Sequence, residues 1–128
     1  FNGNTGPFIQ YTHARIRSIL RKAAEKGIEY AASPLPKVEL SAKEIRLIKL
    51  LNAFPAKIAE GAQAYSPAVI ANYAYDIAKE FNQYYHDTPI LKEENEEVLK
   101  MRLVLIDTLS AVLRKAMGIL GIELPERM

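Results

Sequence analysis

Phe8, Tyr11, Arg15 and Lys22 recur at spacings of three, four and seven residues, so on a helix they fall on one stripe. Rings and cations on a shared flank suit a single-stranded RNA loop. Unpaired bases stack on aromatic faces and guanidinium planes, and phosphates pair with arginine and lysine. The same residues also admit a reading without chemistry, because aromatics beside a buried face commonly form the rim of a core and helical arginines are commonly solvated.

Other chemistries find no support. The two histidines, His13 and His86, belong to different helical segments, and positions 10 and 83, three residues before each, are glutamines. The Glu-x-x-His pairs of a di-iron bundle and the His-Glu-x-x-His pattern of a zinc site are therefore missing. Cysteine is absent, which removes disulfides, thiolate metal sites and a thiol nucleophile. No Gly-x-x-x-x-Gly-Lys phosphate loop and no Gly-x-Ser-x-Gly elbow occurs. No catalytic residue and no metal ligand is expected. Gly3-Asn4-Thr5-Gly6 matches the Gly-x-x-Gly string that clamps RNA backbone in KH modules, but that module needs strands, and here the glycines better serve a tight turn.

The stripe needs a helix to carry it. Pro7 supplies a helical φ where a missing N–H costs nothing, so a helix is predicted from about Pro7. Ile9, Ile16, Ile19, Leu20 and Ala23 form its buried side, and Gly27 is its left-handed cap. Residues 31–37 contain two prolines and read as an extended strap. Ser41-x-x-Glu44 is a capping box ahead of Ile45, Ile48, Leu51 and Phe54, which are expected to continue the buried face, and Pro55 should break that helix after Phe54. Ile58, Ala59 and Ala62 mark a short helix beyond it. Ser66-Pro67 then caps a helix running to about His86, whose stripe is Ile70, Tyr73, Ala74, Ile77, Phe81 and Tyr84. Pro89-Ile90-Leu91 is expected to cross in extended form. Glu93, Glu94, Glu96 and Glu97 are assigned to the first turns of a last helix that Gly121 closes, leaving residues 122–128 as a tail. No strand pattern competes, so the class is all-α, a bundle of about five helices.

A chain of 128 residues, 49% hydrophobic and 25% charged, is ordinary for one domain with a real core, and 1–128 is read as a single domain. The first residue is Phe1, which suggests a piece of a longer chain. The net charge of +2 is small, but residues 1–27 hold Arg15, Arg17, Arg21, Lys22 and Lys26 against Glu25 alone, leaving +4 there and −2 elsewhere. No apolar run approaches the roughly 20 residues that span a bilayer, and a cytoplasmic setting is expected.

The segment from Gly3 to Lys22, with its Asn-Thr-Gly-Pro-aromatic-x-Gln-Tyr-x-x-x-Arg string, resembles the start of the C-terminal, DALR-type anticodon-binding domain of arginyl-tRNA synthetases. Tyr73 with Phe81, Tyr84 and Tyr85 reproduces the aromatic spacing of that family's third helix. Arg102 to Gly121 and the closing Glu126-Arg127-Met128 look like its last helix and terminal tripeptide. The resemblance implies an RNA-binding set. Phe8 and Tyr11 match the aromatic positions that lie against the anticodon loop, and Arg15 matches the nearby arginine. Tyr73 matches a tyrosine that reaches the stem side, and Met128 matches the methionine that borders the bound bases. Phe8 stands where tyrosine is more frequent, and Ala116 where glycine is; Tyr73 also fits a purely core role. By the same resemblance the parent is an ATP-dependent arginine–tRNA ligase. Its His-Ile-Gly-His and Lys-Met-Ser-Lys-Ser signatures are not among these residues, so no cofactor is expected here. The implied partners are the anticodon loop of tRNA(Arg) and the parent's catalytic domain, with neither DNA nor a membrane. The rival expectation is a helical module that binds a protein partner and no RNA.

Overall fold

The computed structural model describes residues 5–30 and 37–128. The expected turn at Gly3 and most of the expected strap at 31–37 lie outside the described residues. Five α-helices are present: α1 (Thr5–Glu25), α2 (Ala42–Asn52), α3 (Phe54–Ala64), α4 (Pro67–Asp87) and α5 (Glu96–Ile119). No strand occurs among the described residues, in keeping with an all-α bundle. The three long helices α1, α4 and α5 pack pairwise against one another; α2 lies against α4, α3 and α5, and α3 against α4.

Helix α1 begins two residues before Pro7. The first-turn amides have no intrahelical partner in any case, so a proline is tolerated anywhere in that turn. The helix ends as its sequence requires. Gly27 has φ +74°, and the Ile28 N–H to Ala23 and Gly27 N–H to Ala24 bonds, 3.0 and 2.9 Å, form a Schellman cap. Gly121, at φ +77°, closes α5 in the same way through Ile122 to Met117 and Gly121 to Gly118.

Between these ends several boundaries differ from expectation. The break falls at Ala53, and Phe54 already opens α3 with Pro55 in its first turn, where a proline is best placed. The buried residues of α2 are Glu44 and Leu47, and Ile45 is exposed. Ser66 occupies the cap of α4 without a side-chain cap bond. Pro89 leads into a 3-10 turn, Ile90–Lys92, that buries Ile90 in the core, rather than into an extended crossing. Asn95 is the N-cap of α5, its side chain accepting from the Glu97 and Val98 amides. Of the four glutamates only Glu96 and Glu97 lie in its first turn.

Glu44 shows why one face of α2 is polar yet buried. Its Oε1 accepts from the Ser41 N–H at 2.8 Å, completing the capping box. Its Oε2 accepts from the Tyr84 hydroxyl at 2.7 Å and from Arg102 Nε at 2.8 Å, and Arg102 reaches on to Glu93 at 3.0 Å. One carboxylate thus joins α2, α4 and α5. Burial alone would raise its pKa, but the Ser41 amide, the Tyr84 hydroxyl and Arg102 outweigh that and hold it below the ordinary carboxylate range.

Candidate nucleic-acid interface

The exposed flank of α1 meets α4 at Arg15. Its guanidinium carbon lies 5.1 Å from the ring centre of Tyr11 and 4.9 Å from that of Tyr85, bridging the two rings within cation–π range. Nη1 donates to Asn82 Oδ1 at 2.7 Å, and Nη2 approaches the Tyr11 hydroxyl at 3.4 Å. The Asn82 amide donates to Thr12 Oγ1 and to the Ala78 carbonyl, both at 2.8 Å. Thr12 in turn donates to the Phe8 carbonyl at 2.9 Å. Tyr11 remains 51% exposed, so this network holds a ring at the surface.

Two adjoining clefts flank Arg15 and Tyr85. The smaller, about 420 Å³, is lined by Tyr11, Ser18, Arg21, Lys22, Arg127 and Met128 among others. The larger, about 590 Å³, runs past Asn82, His86, Pro89, Ile90 and Lys92. They share Arg15, Ile19, Lys22 and Tyr85. No Asp or Glu side chain is among the described residues lining either one, which leaves a concave surface where rings and cations face solvent and that suits a polyanion with exposed bases.

The C-terminal tail forms one wall of the smaller cleft, and α1 holds it there. His13 is fully buried, and its Nδ1 lies 2.8 Å from the Pro125 carbonyl oxygen. A carbonyl can only accept, so Nδ1 carries the proton, and Nε2 faces Arg114 Nη1 at 3.5 Å. Burial lowers the pKa of His13. The Pro125 carbonyl opposes that shift and the Arg114 charge adds to it. Arg17 Nε donates to Glu126 Oε2 at 2.8 Å, and Arg21 Nη1 to the Glu126 carbonyl at 3.0 Å. Arg17 also pairs with Asp107 at 3.4 Å, and Asp107 accepts from the Tyr30 hydroxyl at 2.9 Å. Two of the α1 arginines therefore fasten the tail.

The expected site residues separate into groups. Tyr11, Arg15 and Met128 line one cleft together, Met128 being 71% exposed. Phe8 is half-buried against the core, with its ring 5.6 Å from that of Tyr75, and it lines neither cleft. Tyr73 is only 3% exposed, stacks on Phe54 at 5.8 Å and donates its hydroxyl to the Leu50 carbonyl at 2.6 Å. Burial pushes its pKa up to about 12. It belongs to the core. The sequence marks neither Asn82 nor Arg127 as a site residue, and it marks Tyr85 only through the aromatic spacing. A polar residue three positions before a tyrosine, on the flank of the Ile77–Phe81–Tyr84 stripe, was the signal for Asn82. Among the described residues no group of three or more His, Asp or Glu side chains could hold a metal ion, and no helix there is long and apolar enough to cross a membrane.

The chain belongs to the DALR anticodon binding domain family, which matches residues 9–128. It is similar over its whole length to arginine–tRNA ligases. It is 55% identical over all 128 residues to that of Bacteroides fragilis, of which it covers 21%, in the C-terminal part. It is 44% identical to that of Flavobacterium psychrophilum, of which it covers 20%. The solved structure of Thermus thermophilus arginyl-tRNA synthetase matches the whole chain with a TM-score of 0.85 at 34% identity, over 22% of that protein. The chain thus spans about one fifth of the length of the curated relatives it matches.

Proposed function

We infer that this domain recognises the anticodon loop of tRNA(Arg) and presents the tRNA to the catalytic part of an ATP-dependent arginine–tRNA ligase, working in the cytoplasm. The observation that carries this reading is the pair of clefts around the Tyr11–Arg15–Tyr85 bridge, lined by cations and by no Asp or Glu side chain, in a chain similar to arginine–tRNA ligases. An unstacked anticodon base lies against the free part of the Tyr11 ring, beside the Met128 side chain. Lys22 and Arg127 meet the flanking phosphates, and Lys22, which lines both clefts, lies where the strand passes from one to the other. Base stacking of this kind contributes about 1–3 kcal/mol per base, and phosphate contacts fix register without reading sequence. Arginine activation belongs to the catalytic part, which uses the ATP. Phe8 supports this surface from behind by packing α1 against Tyr75 of α4, and Tyr73 holds α4 to α2.

The test is a titration of the domain with a labelled tRNA(Arg) anticodon stem-loop at two salt concentrations, beside a loop whose central anticodon base is changed. Tighter binding of the cognate loop, weakening as salt rises, supports the reading. Equal binding of both loops, or binding indifferent to salt as an apolar protein interface would give, overturns it.

A further inference from the structure

We propose that Asn82 and Arg15 are positioning residues of this RNA surface: Asn82 locks the Arg15 guanidinium as a flat spacer between Tyr11 and Tyr85, so that the arginine presents a ring to a base instead of gripping a phosphate. The inference rests on the anticodon-loop reading given above. An arginine beside exposed tyrosines invites the opposite assignment, because guanidinium is the usual partner of phosphate. The hydrogen bonds argue against it.

Each proton in the network has an assigned place. Thr12 Oγ1 gives its proton to the Phe8 carbonyl and accepts from the Asn82 amide. That amide gives its other proton to the Ala78 carbonyl. With both N–H groups of Asn82 directed at acceptors, its carbonyl oxygen must face outwards, and there it receives Arg15 Nη1 at 2.7 Å. The orientation of the guanidinium is thus set by α4 and by the backbone of α1, before any RNA arrives. The guanidinium so oriented has its carbon over both rings, 5.1 and 4.9 Å from their centres, and Nη2 points to the Tyr11 hydroxyl. A side chain held at both ends of its fork is poorly placed to follow a phosphate. Lys22 and Arg127, in the same cleft, keep that role.

Lysine distinguishes the two roles, because it keeps the charge but lacks the plane and the fork. Arg15→Lys, Asn82→Leu and Tyr11→Ala are titrated with the cognate anticodon stem-loop, followed by NMR so that millimolar binding is still seen. The Arg15 δ-methylene resonances, shifted by the ring currents of Tyr11 and Tyr85, are read in the same samples without RNA. The expected result is a loss of affinity of about tenfold in all three variants, the scale of one stacked base, and a collapse of the Arg15 ring-current shift in Asn82→Leu. Binding by Arg15→Lys within about twofold of the parent, beside a clear loss in Tyr11→Ala, would make Arg15 a phosphate contact and overturn the inference alone. An unaltered affinity in Tyr11→Ala would remove the anticodon-loop reading of this face, and the inference with it. If Asn82→Leu fails to fold, Arg15→Lys still decides.

Discussion

Replacing His13 by leucine should release the C-terminal tail while leaving the helices in place. Leucine fills a similar space but cannot donate to Pro125, whose carbonyl oxygen lies 2.8 Å from the imidazole. A hydrogen bond between protected groups contributes about 1 kcal/mol net, and an acceptor left without its donor raises the cost to about 1–2 kcal/mol. Ile122 and Leu124 still pack against the core in the variant, and the other polar ties are weaker. Arg17 and Arg21 reach Glu126 from part-exposed positions, where ion pairs contribute about 0–1 kcal/mol each. Losing the His13 bond should therefore raise the population of the undocked tail by about 5–30-fold. Cleavage by a glutamate-specific protease after Glu123 or Glu126 measures that population as long as the tail recloses faster than it is cut. Cleavage after Glu44, which is buried in the network joining three helices, reports global unfolding in the same digest. The reasoning is refuted if tail cleavage keeps its parental rate, or if the Glu44 site opens in parallel with it.

His13 should also make the whole fold sensitive to acid. Burial keeps its folded pKa below 6.5, so between that lowered value and 6.5 the unfolded chain binds more protons than the folded one, and stability falls as pH falls through this window; the urea midpoint of the parent should drop there, and that of His13→Leu should lack this drop. Glu44→Gln should cost about 3 kcal/mol, since it leaves a largely buried Arg102 without one of its two carboxylates, read as a lower urea midpoint with an unchanged slope. The Glu44 carboxyl is held below its ordinary range, so its contribution to the parent is present above that range and is lost as pH falls through the lowered value; Glu44→Gln should lack this acid-sensitive part. Tyr73→Phe should cost about 1 kcal/mol through the lost bond to Leu50 and leave RNA affinity unchanged, whereas a drop in affinity at intact stability would return Tyr73 to the binding surface. Tyr65→Gly should stabilise the domain by about 0.5–1 kcal/mol, because Tyr65 sits at φ 48° while 94% exposed, so the change relieves left-handed strain and removes little packing; an unchanged melting temperature would contradict that.

Local chemistry was legible in the sequence, and contacts between distant segments were not. The glycine caps at Gly27 and Gly121, the Ser41–Glu44 box and the buried stripes of α1 and α4 each depend on neighbours within about two turns, and the structure has them all. Ile45 is exposed against the apolar pattern, because an apolar period cannot show that a capping glutamate will turn inward to meet Tyr84 and Arg102. Part of the site shows the same division. The stripe of Tyr11 and Arg15 could be read from spacing, but Tyr85 and Asn82 come from α4, roughly seventy residues away in sequence, and no local pattern links them to α1. Tyr73 was ambiguous by position alone, because a tyrosine on a core stripe can send its hydroxyl either to solvent or to a carbonyl; Leu50 decides it. The route of the tail depends on His13 and Pro125, 112 positions apart. An isolated histidine on a buried face carries no mark of the carbonyl it will meet.

The measurement that tests the central claim most directly is an NMR map of this domain with the cognate tRNA(Arg) anticodon stem-loop. The account predicts that the Tyr11 and Tyr85 ring signals, the Met128 methyl and the Lys22 side chain move together, in proportion to bound RNA and more at low salt than at high. Shifts confined to another face of the bundle, with these four groups unmoved, would contradict it.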